Sequence, residues 1–179
     1  MSRRVALVGM MGAGKSTAGP LLAVRLGVPF FDLDRRIAEE CGRSVTAIIR
    51  DDGEERFRER EASLLAELLR RPAGVIAAGG GAVLGEENRR ALRDWGRVVY
   101  LRAAPETLAA RLTLAGITER PLLDGGAPLE ALRKILETRA PLYEEADRII
   151  DTDRLTPEET AAAVLRELNG DGHLLPDNG

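Results

Sequence analysis

The chain is poor in reactive side chains: its 179 residues include one cysteine, one histidine and only two lysines, Lys15 and Lys134. A lone Cys41 cannot close an internal disulfide, so no covalent staple holds the fold. His173, the single histidine, falls in the last few residues, where a frayed tail is expected and an inert role with it. Apolar runs approaching the roughly 20 residues of a membrane span are missing, as is a signal-peptide pattern. The expectation is a soluble, cytoplasmic protein with no membrane partner. Basic charge is not in excess either. A formal net charge of -3 and a pI near 5.4 provide no overall positive field, so no nucleic-acid partner is expected. Internal repeats and low-complexity tracts are absent. What remains, 44% hydrophobic and 31% charged residues, suits one well-buried core. A single domain over 1–170 is expected, followed by a disordered tail at 171–179.

One of the two lysines sits in the most informative stretch. Gly9-Met-Met-Gly-Ala-Gly-Lys15-Ser16-Thr17 follows the apolar run Val5-Ala-Leu-Val8 and opens a helical pattern, as the G-x-x-x-x-G-K-[ST] phosphate-binding loop requires. Glycines at 9 and 14 permit backbone conformations that a side chain would block, letting successive N–H groups curl around phosphate oxygens. The helix N-terminus that follows favours the same anion. Contacts to a nucleotide's phosphates are therefore expected from Gly12, Ala13, Gly14, Lys15, Ser16 and Thr17. Lys15 reaches the β- and γ-phosphates, and the Ser16 hydroxyl ligates Mg2+.

Short apolar runs at 5–8, 29–31, 75–78, 98–101 and 148–150 read as buried strands. Between them lie helical spacings at 21–26, 64–69, 108–112 and 129–136. This alternation predicts an α/β fold with a parallel sheet and helices on both faces. Ligands in such sheets gather at the carboxyl ends of the strands, where Gly9, Asp32 and Gly79 all fall. Two segments do not read as core. Residues 35–60 are densely charged with weak helical periodicity, and 113–128 combine three glycines and two prolines around Arg120 into a mobile loop.

Phe31-Asp32-Leu33-Asp34 ends the second strand with two carboxylates at i, i+2, a spacing that aims both at one cleft. Phosphoryl transfer uses one carboxylate for Mg2+ and another to accept or orient the attacking hydroxyl's proton. The competing role for Asp34 is to cap the helix at 35–40. The run before Gly79-Gly80-Gly81 ends in Ala78 and carries no acidic residue for the metal. Asp32 is therefore preferred for Mg2+ over Asp151 at the last strand. Three glycines in succession bring bare backbone close to a ligand or a neighbouring segment. Arg58 and Arg139 are candidates to grip an anionic substrate, because guanidinium binds carboxylate in two-pronged geometry.

Taken in order, Gly-Met-Met-Gly-Ala-Gly-Lys-Ser, Phe-Asp-Leu-Asp, Phe-Arg-x-x-Glu, Gly-Gly-Gly-Ala-Val, Arg-Pro-Leu-Leu and Arg-Ala-Pro-Leu-Tyr resemble the shikimate kinases. These are P-loop enzymes related to the nucleoside monophosphate kinases. The resemblance covers about 4–168 and implies MgATP-dependent phosphorylation of the shikimate 3-hydroxyl in aromatic amino acid biosynthesis. It further implies a five-stranded parallel sheet, a substrate-binding helical segment near 33–61, a lid near 112–126, and a monomer. By position, Asp34, Arg58, Gly79, Gly80, Gly81 and Arg139 would hold shikimate, with Asp34 as base. Arg120 would be the lid arginine that steadies the transferring phosphoryl group, and Asp32 would reach Mg2+ through its water shell. Ala78 departs from the family, which often has a hydroxyl there. Arg111 would stack on adenine, although its spacing from Arg120 is slightly long. Arg154 and Pro157 are the alternative border of the base. Two other functions compete: a different small-molecule or nucleotide kinase on the same scaffold, and a GTP-dependent switch. The switch requires an Asn/Thr-Lys-x-Asp motif that neither lysine supplies.

Overall fold

The computed structural model describes residues 3–116 and 128–170. Five strands form one parallel sheet in the order β2-β3-β1-β4-β5: β1 (Arg4–Val8), β2 (Phe30–Asp32), β3 (Gly74–Ala77), β4 (Arg97–Arg102) and β5 (Arg148–Asp151). The expected sheet is thus present, with strand ends shifted by at most one residue. The shift in β2 matters, because Asp32 is now its last residue and pairs in register with Ala77. From β1 the chain runs outward to β2, returns to β3 and then crosses to β4 on the other side of β1. The loops after β1 and β3 diverge there, opening the crevice that ligands use in this architecture.

Both faces of the sheet are apolar, as a doubly covered parallel sheet requires. Val5 and Leu7 of β1 point into one core layer with Val75, Val99 and Leu101. That layer is closed by α1 (Lys15–Leu26), α6 (Pro105–Leu114) and α8 (Pro157–Gly170). Ala6 and Val8 point the other way, joining Ile76, Val98 and Tyr100 under α2 (Leu33–Cys41), α3 (Val45–Asp52), α4 (Glu54–Leu68) and α5 (Glu86–Trp95). The helix α7 (Pro128–Tyr143) contributes Leu132 to the first layer and Tyr143 to the second.

The charged segment 35–60 departs from the expectation of a stretch outside the core. It folds into α2, α3 and the start of α4, and it buries Ile37, Ile48 and Phe57 in the second layer. Its periodicity is hard to see because glycines at 42 and 53 break it into two short helices and the first turns of α4, and within 35–60 only Ile37, Ile48 and Phe57 are buried. The competing capping role falls to the other carboxylate of the pair. Asp32, not Asp34, accepts a hydrogen bond from the Arg35 amide at 3.2 Å, which leaves Asp34 in the first helical turn with its carboxylate directed elsewhere.

At the opposite end of the strands, Trp95 closes α5. Its indole Nε1 donates to the Arg71 carbonyl at 3.0 Å, and the ring is buried. Among the described residues no helix is long and apolar enough to cross a membrane.

Candidate active site

The loop from Gly9 to Gly14 connects β1 to α1 along the ligand edge of the sheet. Gly9 has φ +138°, a conformation side chains rarely adopt, and a Cβ there would run into the Leu101 carbonyl. Lys15 is only 8% exposed, and its Nζ donates to the carbonyls of Gly9 at 2.7 Å and Met10 at 3.0 Å. The lysine therefore lies back across its own loop, held by that loop's carbonyls.

That loop forms one wall of a cavity of about 380 Å3. Gly12, Ala13, Gly14, Lys15, Ser16 and Thr17 all line it, together with Asp32, Asp34, Ala78 and Gly80 on the side of β2 and β3. The far end is mostly apolar: Leu112, Ala115, Leu155 and Pro157, with Arg111 and Thr160. Arg154 is exposed and does not line the cavity, whereas Leu155 beside it does. Arg120 and most of the anticipated lid lie outside the described residues, as does His173.

Behind the cavity, the three glycines are packed against charged side chains. A Cβ on Gly79 would collide with the Glu61 carboxylate and come within 2.6 Å of Asp34 Oδ1, so only glycine lets both carboxylates approach the backbone at this point. Gly81 is likewise covered by the Arg58 guanidinium. The Gly80 carbonyl accepts from Arg139 Nη1 at 3.2 Å and from the Tyr143 hydroxyl. Arg139 is 6% exposed, and Arg58 donates to Glu61 at 2.8 Å and to Glu54 at 3.0 Å. Asp34, Arg58, Gly79, Gly80, Gly81 and Arg139 are thereby brought together from four separate parts of the chain.

Three residues to which the sequence assigns no role contact the candidate residues. Glu61 is 1% exposed, and its Oε1 is buried without a hydrogen-bond partner while Oε2 holds Arg58. Burial pushes its carboxyl above the ordinary 4.5; the Arg58 guanidinium pulls the other way and the Asp34 charge adds to the rise. Tyr143 stacks on Tyr100 with ring centroids 5.1 Å apart, and burial pushes its phenol up to about 12, so it remains a donor to Gly80. Thr152, just past β5, is 1% exposed and meets Arg111. Glu61 stands in the Phe-Arg-x-x-Glu pattern; nothing local marks Thr152.

Mg2+ fits the donors present. Ser16 and Asp32 line the same cavity as Lys15, and among the described residues no cluster of three or more carboxylate, imidazole or thiol groups could hold a metal by itself. One hydroxyl and one carboxylate suit an ion that keeps several waters and takes phosphate oxygens for the rest. Asp151 is committed elsewhere: Arg102 binds both its oxygens, at 2.5 and 2.9 Å, and that hydrogen bonding holds its carboxyl below the usual range.

Comparison with known proteins adds to this geometry. The family model described as "Shikimate kinase" matches residues 11–169. The chain is 46% identical to a shikimate kinase of Symbiobacterium thermophilum over 169 residues, covering 94% of this chain and 97% of that one. It superposes on a shikimate kinase from Acinetobacter baumannii, solved in complex with shikimate, with a TM-score of 0.90 and 38% identity over 96% of this chain and 95% of the other. A gluconokinase from Sinorhizobium meliloti reaches a TM-score of 0.59 at 22% identity over 95% of each chain, which shows a shared P-loop kinase fold alone.

Proposed function

The chain belongs to the shikimate kinase family, and on that premise we propose that its cavity joins the γ-phosphoryl group of ATP to the 3-hydroxyl of shikimate. The products are 3-phosphoshikimate and ADP. The observation that carries the site assignment is that Asp34 lines the same cavity as Lys15, while Arg58 and Arg139 flank the glycine run beside it.

The chemistry follows from the side chains. Arg58 and Arg139 grip the shikimate carboxylate, which fixes the ring and turns its 3-hydroxyl toward Asp34. The hydroxyl oxygen attacks the γ-phosphorus and its proton passes to the Asp34 carboxylate. The bond from the γ-phosphorus to the β–γ bridging oxygen breaks, and ADP leaves with the electron pair. Lys15, the amides of Gly12 to Thr17 and the lid arginine Arg120 stabilise the negative charge spread over the transferring group. Mg2+, held by Ser16 and through water by Asp32, would neutralise charge between the β- and γ-phosphates. Arg111 and Pro157 border the base.

On this reading the chain is one kinase domain over 1–170, with a substrate-binding segment at 33–61 and a lid at 112–126. It acts as a cytoplasmic monomer without nucleic-acid or membrane partners. A substrate panel with MgATP in a coupled ADP-release assay tests the assignment. Turnover should require both shikimate and Mg2+; equal rates with gluconate or a nucleoside monophosphate would reject the substrate.

A further inference from the structure

Arg111 and Thr152 make an arrangement that the phosphoryl-transfer chemistry does not use. From α6, the Arg111 guanidinium takes hold of one residue twice: Nη1 donates to the Thr152 hydroxyl at 3.1 Å and Nη2 to the Thr152 carbonyl. Nη1 also points at the Gly12 carbonyl at 3.4 Å. The Thr152 hydroxyl in turn offers its proton to the Arg102 carbonyl at 3.1 Å, with the Ala13 carbonyl at 3.4 Å as a second acceptor, and the Thr152 amide donates to the Arg102 carbonyl at 2.8 Å. One buried hydroxyl thus ties α6, the end of β4 and the phosphate loop together.

Two consequences follow for the cavity. Gripped at both terminal nitrogens, the guanidinium cannot swing, so the orientation of its flat face is set by Thr152. Its hydrogen-bond partners among the described residues are all neutral oxygens, so the cation is not spent on a carboxylate. This fixed, planar cation lines the apolar end of the cavity with Leu112, Leu155 and Pro157, the end away from Asp32 and Asp34. A nucleotide with its phosphates in the loop must place its base at that end. A planar heteroaromatic base is the group a guanidinium face and an apolar wall recognise together.

We propose that Thr152 is a positioning residue for nucleotide binding: its hydroxyl and carbonyl hold Arg111 flat against the base, so affinity for the base depends on a side chain that never touches it. The inference rests on the reading of this cavity as the ATP site, and its test leaves shikimate out.

Calorimetry on the full chain should compare two ligands, ADP and inorganic pyrophosphate, the second having phosphates but no base. Thr152→Val keeps the shape and removes the hydroxyl; ADP should bind about tenfold more weakly and pyrophosphate within about twofold of the parent chain. Thr152→Ser, which keeps the hydroxyl, should restore ADP binding. Unchanged ADP affinity in Thr152→Val, an equal loss for both ligands, or failure of the serine variant to recover would overturn the proposal. Arg111→Ala gives the same answer independently of how Thr152→Val folds: ADP should weaken by at least about tenfold with pyrophosphate spared, and parallel losses or none would refute it. Turnover of the parent chain with shikimate, measured alongside, separates the two readings. ADP binding that follows this pattern without shikimate turnover would sink the substrate assignment and leave Thr152 standing.

Discussion

On the proposed reading, the two ends of the reaction are built from different materials. The phosphate end is nearly all backbone, nine consecutive residues whose one functional cation, Lys15, is held by its own loop's carbonyls. The acceptor end is nearly all side chain, with Asp34, Arg58, Glu61, Arg139 and Tyr143 drawn from α2, α4 and α7 onto a stretch of bare glycine. Amides recognise any polyphosphate, so the first end can be contiguous and general. A ring bearing one carboxylate and several hydroxyls needs charges at set angles, and only distant elements meeting in the fold supply them.

Substitutions can break this contrast. Lys15→Ala should cut turnover by about a thousandfold or more, since it removes charge stabilisation that the amides cannot replace. Asp34→Asn should cost about a hundredfold or more in kcat with little change in the KM for ATP. Near-normal rates in either variant would contradict the roles of these two residues. Arg58→Ala should act on the other end, raising the KM for shikimate by about tenfold or more while ATP affinity holds. A main effect on ATP would erase the distinction between the ends.

Glu61 sharpens the comparison through pH. Its folded carboxyl titrates above its unfolded value, so the folded chain binds the extra proton between the two. The contribution of that group to stability is therefore full below the ordinary 4.5 and declines as pH rises through the folded value. Urea titrations of the parent and Glu61→Gln across this window should show the parent losing stability relative to the variant as pH increases; a constant difference would mean Glu61 titrates normally. The smallest effect is expected at Tyr143→Phe, about 1 to 2 kcal/mol of unfolding free energy for one buried donor to Gly80, with a modest rise in the shikimate KM.

The same contrast explains how much of the molecule is readable from its residues. The phosphate loop is legible because its spacing is contiguous and each glycine has a local reason. All five strands and the sheet class follow from apolar runs to within a residue at each end, and at β2 that residue is Asp32, a polar strand end that doubles as a helix cap. Asp34 and the two arginines are legible as chemistry, but their meeting requires the family resemblance, since Arg139 reaches Gly80 across 59 positions. Thr152 is not legible at all. Its partner Arg111 lies 41 residues away, and a threonine after a strand is ordinary until the fold closes around it.

Trp95 is the one tryptophan in the chain, and it is buried at the ends of the strands opposite the phosphate loop, bonded to Arg71. Intrinsic fluorescence excited at the indole band is accordingly a single-site signal. It should report denaturation of the whole domain cleanly while staying almost silent during ligand titrations, so occupancy must be followed with calorimetry or an introduced chromophore.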